Sequence, residues 1–334
     1  MKGLKSIIFG AAALIALPVA FTACDDWTEP EANDYYKPLT PGYFENLKDY
    51  FASPHQKMFG WFGSWAAGAK GNQLIGLPDS VDFVSLWLCW GNLTEEQQAD
   101  LKAFQERGSK AVLCWLPTAI GENITPGGNS AENLEAFWGF TDGDVESRIE
   151  AAKKYADAIA DTCFKYGIDG FDADIESQSS LIDQSEPRVF NEFMRQLRRR
   201  FDEKPGMLLV ADIPGGTGWL GYYRFLDDDV VQSLDYIVWQ TYELNHSGMT
   251  SFFDAVKSYK PDLFDEVLAK SIITATFERA ADKYLFASHA TWRYSDGRLP
   301  GGIGAYHIEY DYPGNPDYPT VRAGISTMNP PINN

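Results

Sequence analysis

Three carboxylates at alternate positions are the residues of this sequence best placed to do chemistry. Asp172, Asp174 and Glu176 are separated by single apolar residues in the run DGFDADIE. Side chains alternate along a β-strand, so the acids would share one face and the apolar residues the other. Burying like charges together is costly and forces some of them to share protons. The spacing therefore indicates an acid–base site on a buried strand.

The elements around this run alternate between strand and helix. Helices are predicted at 94–107, 145–166, 187–201 and 252–259, with Thr94 as an N-cap. Eight short, mostly non-alternating apolar segments are the predicted strands, at 58–63, 81–90, 111–116, 168–175, 207–213, 236–241, 271–276 and 303–308. Such strands indicate a parallel sheet covered on both faces. Eight units in one domain favour an α/β fold of the (β/α)8 TIM barrel type, whose active sites lie at the carboxyl ends of the strands.

The run DGFDADIE resembles the fourth-strand signature of glycoside hydrolase family 18, the chitinases and endo-β-N-acetylglucosaminidases. The resemblance implies that Glu176 is the catalytic acid that protonates the glycosidic oxygen. Asp174 would orient the substrate's own 2-acetamido group for attack on the anomeric carbon, and Asp172 would be its buried electrostatic partner. Repulsion from the two aspartates would raise the pKa of the acid, and the three groups would titrate as a coupled set. Asp169 lies off this face and is expected to support the turn into the strand.

A second resemblance lies on the sixth predicted strand, in the run WQTY that ends at Tyr242. It implies that the Tyr242 hydroxyl is catalytic and bonds the acetamido oxygen. Gln240, on the same face, resembles the endo-β-N-acetylglucosaminidase branch more than the chitinases, which more often have Met there and Asp after the Tyr. Gln240 is therefore a candidate substrate-binding residue. Aromatic rings that suit stacking on sugars supply four further candidates, namely Trp61, Trp115, Trp239 and Tyr306.

Two departures from the chitinase pattern bear on the substrate. The third strand lacks a Ser-x-Gly-Gly motif, and no α+β insertion is evident between the seventh and eighth strands. Both suit a shallow site with walls at residues 121–129 and 245–251. The expected reaction is endo-cleavage of the β1,4 bond in the N,N'-diacetylchitobiose core of N-glycans, with the glycan or glycoprotein as partner. Two alternatives stay open, a chitinase and a non-catalytic, surface glycan-binding lipoprotein.

The first residues resemble a bacterial lipoprotein signal. A short positive start, an apolar stretch and the ending FTAC predict a signal peptide at 1–23 and lipidation of Cys24. Residues 24–55 would carry the lipid and a tether, and residues 56–334 the catalytic barrel. Ordinary cleavage near Ala23, with Cys24 an incidental thiol, is the alternative. A lipid-anchored protein of the outer membrane, on the cell surface, is expected, with other surface proteins of glycan utilisation as further candidate partners.

Charge and cysteine content narrow the remaining classes. A net charge of −19 argues against nucleic acid as a partner. Three cysteines remain besides Cys24, without motif spacing, so they form neither a disulfide framework nor a metal site. Cys89 and Cys114 could pair across neighbouring strands, but buried free thiols are favoured. Four scattered histidines give no metal pattern, and no cofactor is expected.

Overall fold

A computed structural model describes residues 42–66 and 68–330, and eight parallel strands close into a barrel in chain order. The predicted (β/α)8 TIM barrel is confirmed. Hydrogen-bonded neighbours follow the sequence from the first strand to the last, which pairs back with the first. The strands are β1 Lys57–Phe62, β2 Phe83–Trp87, β3 Lys110–Trp115, β4 Gly170–Asp174, β5 Leu208–Pro214, β6 Tyr236–Gln240, β7 Ser271–Thr276 and β8 Gly302–Tyr306.

Helices cover the outside of the barrel, and local sequence signals fix their ends. Thr94 caps its helix with a reciprocal capping box to Gln97. The longest helix is capped by Asp144 and stopped by Gly167, whose φ of 68° suits a residue without a Cβ. The helices are α1 Tyr43–Ala52, α2 Glu95–Glu106, α3 Ala131–Trp138, α4 Val145–Tyr166, α5 Arg188–Phe201, α6 Gly221–Arg224, α7 Asp228–Ser233, α8 His246–Tyr259, α9 Phe264–Lys270, α10 Lys283–Thr291 and α11 Pro319–Met328.

The barrel wall packs on two separate layers. The outward strand faces form a large apolar layer with the helices, which includes the apolar residues between the acids of β4. The inward faces form a smaller cluster, whose members are Phe59, Trp61, Phe83, Val112, Cys114, Leu208, Val210, Val238 and Ile272. Above this inner cluster, at the carboxyl ends of the strands, the interior becomes polar. The carboxylates of β4 lie in this polar part.

The folded domain begins earlier than the predicted residue 56. Helix α1 belongs to the compact unit that starts at Phe44, and it buries Leu47. Asn329 ties the start of β1 to this helix, since its side chain accepts from the backbone N–H of Gln56 at 3.1 Å and donates to the Tyr50 hydroxyl at 3.1 Å. The predicted signal peptide, the predicted lipidation site Cys24 and the predicted tether up to residue 41 lie outside the described residues. In the part of the chain that the structure describes, every helix is too short or too polar to cross a bilayer.

Predictions outside the barrel strands had mixed outcomes. The described cysteines Cys89, Cys114 and Cys163 are free thiols, as favoured, but only Cys114 and Cys163 are buried, and Cys89 is partly exposed. Residues 277–301 hold one short 3-10 turn and α10, so the expected lack of an insertion between β7 and β8 is confirmed. The segment 245–251, which was expected to be a wall of the site, is the start of α8, because the Asn245 side chain caps this helix by accepting from the N–H of Gly248 at 2.9 Å. That wall is therefore a helix terminus.

Candidate active site

Strand β4 lies very close to β5 because its first residue has no side chain. A Cβ at Gly170 would lie 1.9 Å from the backbone oxygen of Leu208. The register sets Asp174 beside Asp212 of β5, and parallel neighbours in register face the same side. Asp172 and Asp174 are buried, and half-buried Glu176 follows the strand at the barrel mouth. The three acids predicted to share an inward face therefore do so.

Asp172 is the deepest of these acids, and only one of its two carboxylate oxygens has hydrogen-bond partners in the protein. Its Oδ2 accepts from the Ser85 hydroxyl at 2.6 Å and from the Cys114 thiol at 3.4 Å, while Oδ1 has no protein partner. Burial raises the pKa of Asp172 to about 6, and the hydrogen bonds from Ser85 and Cys114 oppose that rise. Asp172 is thus a carboxyl that holds its proton at a higher pH than an exposed one.

Asp174 and Asp212 lie side by side above Asp172. Burial, and then the negative charge of Glu176, raise the pKa of Asp174 well above its ordinary value. Burial, and then the charge of Asp174, do the same to the pKa of Asp212, whose Oδ2 has no protein partner. Adjacent carboxylates in a low-dielectric interior cannot all ionise, so this group holds at least one proton at neutral pH. Sequence reasoning missed Asp212, although an acid inside the apolar strand LLVADIP is an available signal.

Gln240 connects three of the carboxylates. Its Nε2 donates to Asp212 Oδ1 at 3.1 Å, to Asp174 Oδ1 at 3.3 Å and, by a shorter contact, to Glu176 Oε1. One amide group carries two N–H bonds, so the three contacts compete for two hydrogens. Gln240 lies on the inward face as predicted, and it holds the Glu176 carboxyl over Asp174.

Four aromatic rings surround the space above these carboxylates. Trp61 meets Tyr242 and Tyr306 edge to face, with ring centroids 6.2 and 6.0 Å apart, and Trp87 meets Tyr306 likewise at 6.2 Å. Burial, and then the negative charge of Asp212, keep the pKa of Tyr242 well above its usual range, so its hydroxyl stays protonated and can donate. A cavity of about 280 Å³ lies among these rings. Its other lining residues are Leu116, Asp174, Glu176, Asp212 and Gln240. We name it the inner cavity.

Two tryptophans assigned to sugar binding were wrongly placed. Trp115 and Trp239 belong to the outer apolar layer, between barrel and helices, and they line neither cavity at the barrel mouth. Their indole N–H groups donate to the Tyr155 hydroxyl at 2.9 Å and to the Ser271 hydroxyl at 2.8 Å. Strand alternation explains this, because Trp239 is next to inward-facing Gln240 and must face outward. Trp61 and Tyr306, by contrast, do line the inner cavity.

A second cavity opens on the other side of Glu176. It has a volume of about 360 Å³, and we name it the outer cavity. Its lining residues are Glu176, Pro214, Gly215, Trp219, Gln240, Thr241, Tyr242, Glu243 and Leu244. Trp219 lies in the loop after β5, and sequence reasoning missed it because loop residues follow no periodic pattern.

Other polar residues near the barrel ends have structural contacts. The Asp169 carboxylate accepts from the N–H of Ala111 and from the Gln105 amide, both at 2.8 Å, which agrees with the expected support of the turn into β4. His307 Nδ1 contacts Glu309 Oε1 at 2.8 Å, and the same oxygen accepts from the N–H of Gly63. The contacts of Asp169 fix the start of β4 beside β3, and those of Glu309 join the chain just after β1 to the chain just after β8.

Cys114, Asp172 and Asp212 form the group best spaced for a metal among the described residues. Each offers one ligand atom within 4.8 Å of the other two. Burial, and then the charge of Asp172, raise the pKa of the Cys114 thiol well above its ordinary value, and a thiol must lose its proton to bind a metal. The set also mixes hard oxygen with soft sulfur. It suits a shared proton better than a cation.

Comparisons with known proteins agree with this architecture. The family model for the BT1044-like group of glycoside hydrolase family 18 matches residues 22–251. A selenomethionine-labelled Glu→Gln variant of BT1044 is 33% identical, with a TM-score of 0.73 over 88% of this chain and 94% of its own. The endo-β-N-acetylglucosaminidase of Cordyceps militaris is 24% identical, with a TM-score of 0.63 over 86% of this chain and 96% of its own.

More distant likeness extends to chitinases. A family 18 chitinase from Pseudoalteromonas aurantia is 15% identical, with a TM-score of 0.56 over 81% of this chain and 100% of its own. This likeness shows a shared fold. No curated protein sequence matches the chain. Fold and family together define a barrel glycosidase. The chain belongs to glycoside hydrolase family 18, in its BT1044-like group.

Proposed function

We propose that this protein is an endo-β-N-acetylglucosaminidase that cleaves the β1,4 bond in the chitobiose core of N-glycans with retention of configuration. The observation that carries the proposal is the composition of the inner cavity. Asp174 and the Tyr242 hydroxyl face the same small space, and Glu176 lies at its edge. An acetamido group needs one hydrogen-bond acceptor and one donor, and these two residues supply them.

Bond cleavage follows from that arrangement. The Tyr242 hydroxyl donates to the acetamido carbonyl oxygen and Asp174 accepts from the acetamido N–H, which aims the carbonyl oxygen at the anomeric carbon. As that oxygen forms a bond to the carbon, the glycosidic bond breaks and Glu176 gives its proton to the leaving oxygen. The sugar becomes a cyclic oxazolinium ion. Water then attacks the anomeric carbon and returns a proton to Glu176, which restores the acetamide and the original configuration.

The buried carboxylates give this step an electrostatic partner. The acetamide nitrogen gains positive charge as the ring closes, and a neighbouring carboxylate stabilises that charge most in a water-poor site. Asp174 lies above Asp172 and beside Asp212, and burial with the neighbouring negative charges raises the pKa of both Asp174 and Asp212 well above the ordinary value. A proton held on Asp212 leaves Asp174 free to carry negative charge when the intermediate forms.

The choice of N-glycan over chitin rests on the breadth of the site. Residues 277–301 add no second domain, and two small cavities meet at Glu176 in place of a long cleft. A time course on a high-mannose glycoprotein beside chitin oligosaccharides tests the choice. We expect one N-acetylglucosamine mass to remain on the asparagine. Faster release from chitin would favour a chitinase.

We also propose that Cys24 is diacylated and anchors the protein to the outer membrane, facing the cell surface. Two acyl chains give stable anchoring, whereas one does not. Asp25 and Asp26 directly after the cysteine resemble surface-export signals of Gram-negative lipoproteins. Membrane fractionation of wild type and Cys24→Ala tests the anchor, and protease shaving of intact cells tests the side. A Cys24→Ala protein that still pellets with membranes contradicts the proposal.

A further inference from the structure

The two cavities meet at three residues and differ in the rest. Glu176, Gln240 and Tyr242 line both of them, whereas Asp174 and Asp212 line the inner one alone. A general acid must reach the oxygen that joins two sugars, so it borders the sites of both. The sugar whose acetamide reacts needs Asp174 and therefore occupies the inner cavity. The outer cavity is then on the leaving-group side of the bond.

We infer that the outer cavity binds the leaving sugar, an N-acetylglucosamine carried on asparagine, and that Trp219 is the platform on which its ring stacks. This inference rests on the proposed function. The Trp219 side chain is 52% exposed, although indoles are usually well buried. Its ring lies nearly parallel to that of buried Tyr222, at 11° with centroids 6.2 Å apart, so Tyr222 covers at most one face of the indole.

The loop that carries Trp219 is held in place before any ligand binds. A Cβ at Gly215 would lie 2.6 Å from the backbone oxygen of Gln240, so the turn after β5 lies directly on β6. The N–H of Trp219 donates to the carbonyl of Gly216 at 3.1 Å, and Gly216 has a φ of 117°. The Gln184 side chain packs against Gly221 from the loop after β4. A loop that is already ordered loses little backbone entropy when a sugar binds.

The remaining wall offers polar groups to the edge of a sugar ring. A pyranose has an apolar face for the indole and a polar edge, which Glu243 and Gln240 can meet. Glu243 is well exposed at the rim and lies 3.9 Å from the Arg279 guanidinium, a charged pair beyond the platform. At about 360 Å³ the outer cavity is near the small end of ligand pockets, roughly 300 to 1,000 Å³, and fits a short aglycone.

Glycosyl transfer separates the two subsites experimentally. The donor is a mannosyl-N-acetylglucosamine oxazoline, whose N-acetylglucosamine unit occupies the inner cavity, and the acceptor is N-acetylglucosaminyl-asparagine. The oxazoline nitrogen takes a proton from the Asp174 carboxyl group. The acceptor 4-hydroxyl then attacks the anomeric carbon, the C–O bond between that carbon and the oxazoline oxygen breaks to restore the acetamide, and Glu176 takes the hydroxyl proton, which solvent exchange returns to Asp174. Hydrolysis uses water in place of the acceptor. We expect Trp219→Ala to raise the half-saturating acceptor concentration at least roughly tenfold, as for loss of an aromatic anchor, and to lower oxazoline hydrolysis by a much smaller factor.

Matched variants and a binding measurement keep the test decisive. Trp219→Phe should restore much of the acceptor affinity. Trp90→Ala removes an indole that is 44% exposed but lines neither cavity, so it should change nothing. Acceptor binding to Glu176→Gln, measured by saturation-transfer NMR, needs no turnover. If the acceptor binds in a way that depends on Trp219 but the wild type has no turnover, the subsite is supported and the proposed function is overturned. Unchanged acceptor dependence in Trp219→Ala, an equal loss of hydrolysis, or no acceptor binding would overturn the inference.

Discussion

The inward and outward faces of the same barrel strands carry buried tryptophans with opposite roles. Trp61 faces inward, is 1% exposed, and stands edge to face with Tyr242 at the site. Trp239 faces outward, is 0% exposed, and packs edge to face on Phe252 of α8. Burial therefore does not separate a site residue from a core residue. The direction in which the strand points the side chain does.

The two faces also differ in the kind of polar atom that lacks a protein partner. In the outer layer these atoms include the hydroxyls of Tyr223 and Tyr318, which are neutral. The outward indoles have hydrogen-bond partners within the apolar layer. On the inward face, one oxygen each of Asp172 and Asp212 is buried without a protein partner. An unsatisfied buried polar atom is destabilising by about 1–3 kcal/mol. The inward face is thus tuned for chemistry, and the outward face supplies the stability that permits it.

The largest expected effect comes from the acid at the mouth of the inner face. Glu176→Gln removes the proton donor to a poor leaving group and should lower turnover at least about a thousandfold. Folding and glycan binding should persist, because Glu176 lies outside both apolar layers. Turnover on a defined glycoprotein, with calorimetric glycan binding, measures both.

Two outcomes would contradict this assignment. Near-normal turnover in Glu176→Gln would remove the acid role. Equal inertness of wild type and variant, with glycan binding retained, would favour the non-catalytic surface lectin. Gln240→Glu is a useful comparison, since it replaces the connecting amide by a fifth carboxyl while leaving Glu176 in place.

The second prediction concerns the stability of the inward face and its dependence on pH. The pKa of Asp172 is about 6 in the folded barrel, above the ordinary value of 3.8. Between those values the folded state binds more protons than the unfolded state, so the free energy of unfolding falls as pH rises. This difference in pKa corresponds to about 3 kcal/mol in the free energy of unfolding, and that contribution is lost once the pH is above about 6. Asn does not titrate and escapes that loss.

Asp172→Asn should therefore gain stability relative to wild type as pH rises from about 4 to 7.5. Urea unfolding at both pH values gives the difference, with an expected relative gain on the order of 3 kcal/mol. Asp169→Asn is no matched control, because its carboxylate accepts backbone and amide hydrogens at the strand start. A stability difference that does not change with pH would show that Asp172 titrates normally.

Sequence patterns predicted the fold closely and the site only in part. Strand β7 has its predicted bounds, and α4 likewise, because apolar runs and helix caps are local signals. The predicted second strand ran three residues too far, since Leu88 takes a φ of 57° and ends the extended conformation at Trp87. Asp212 and Ser85 joined the site only through strand register, which single-strand patterns do not contain. The position of Trp219 depends on how a loop packs, which no sequence period indicates.

The third prediction sharpens the contrast between the two faces with one pair of substitutions. Trp239→Phe deletes outer-layer volume and an indole N–H, while the Ser271 hydroxyl still donates to the carbonyl of Val267 at 2.7 Å. We expect a loss of about 2 kcal/mol in unfolding free energy, with turnover unchanged at a permissive temperature. Trp61→Phe should show the reverse, a clear loss of turnover for the same change of side chain. Similar effects of both variants on turnover would refute the division by face.

The smallest expected effect isolates one hydrogen bond beneath the site. Ser85→Ala removes the 2.6 Å bond to the Asp172 carboxylate. A bond to a charged group contributes about 1.5–3 kcal/mol and a neutral one about 1 kcal/mol, so the loss should be greater at pH 8 than at pH 5, where Asp172 is protonated. Ser109→Ala is the matched control, because buried Ser109 donates to the Val81 carbonyl at 2.7 Å, which does not titrate. Unfolding in urea at both pH values should show a pH-dependent loss for Ser85→Ala and a constant loss for Ser109→Ala. The same pH profile for both would mean that Asp172 is not charged at pH 8, and the shared proton would then belong to Asp172 itself.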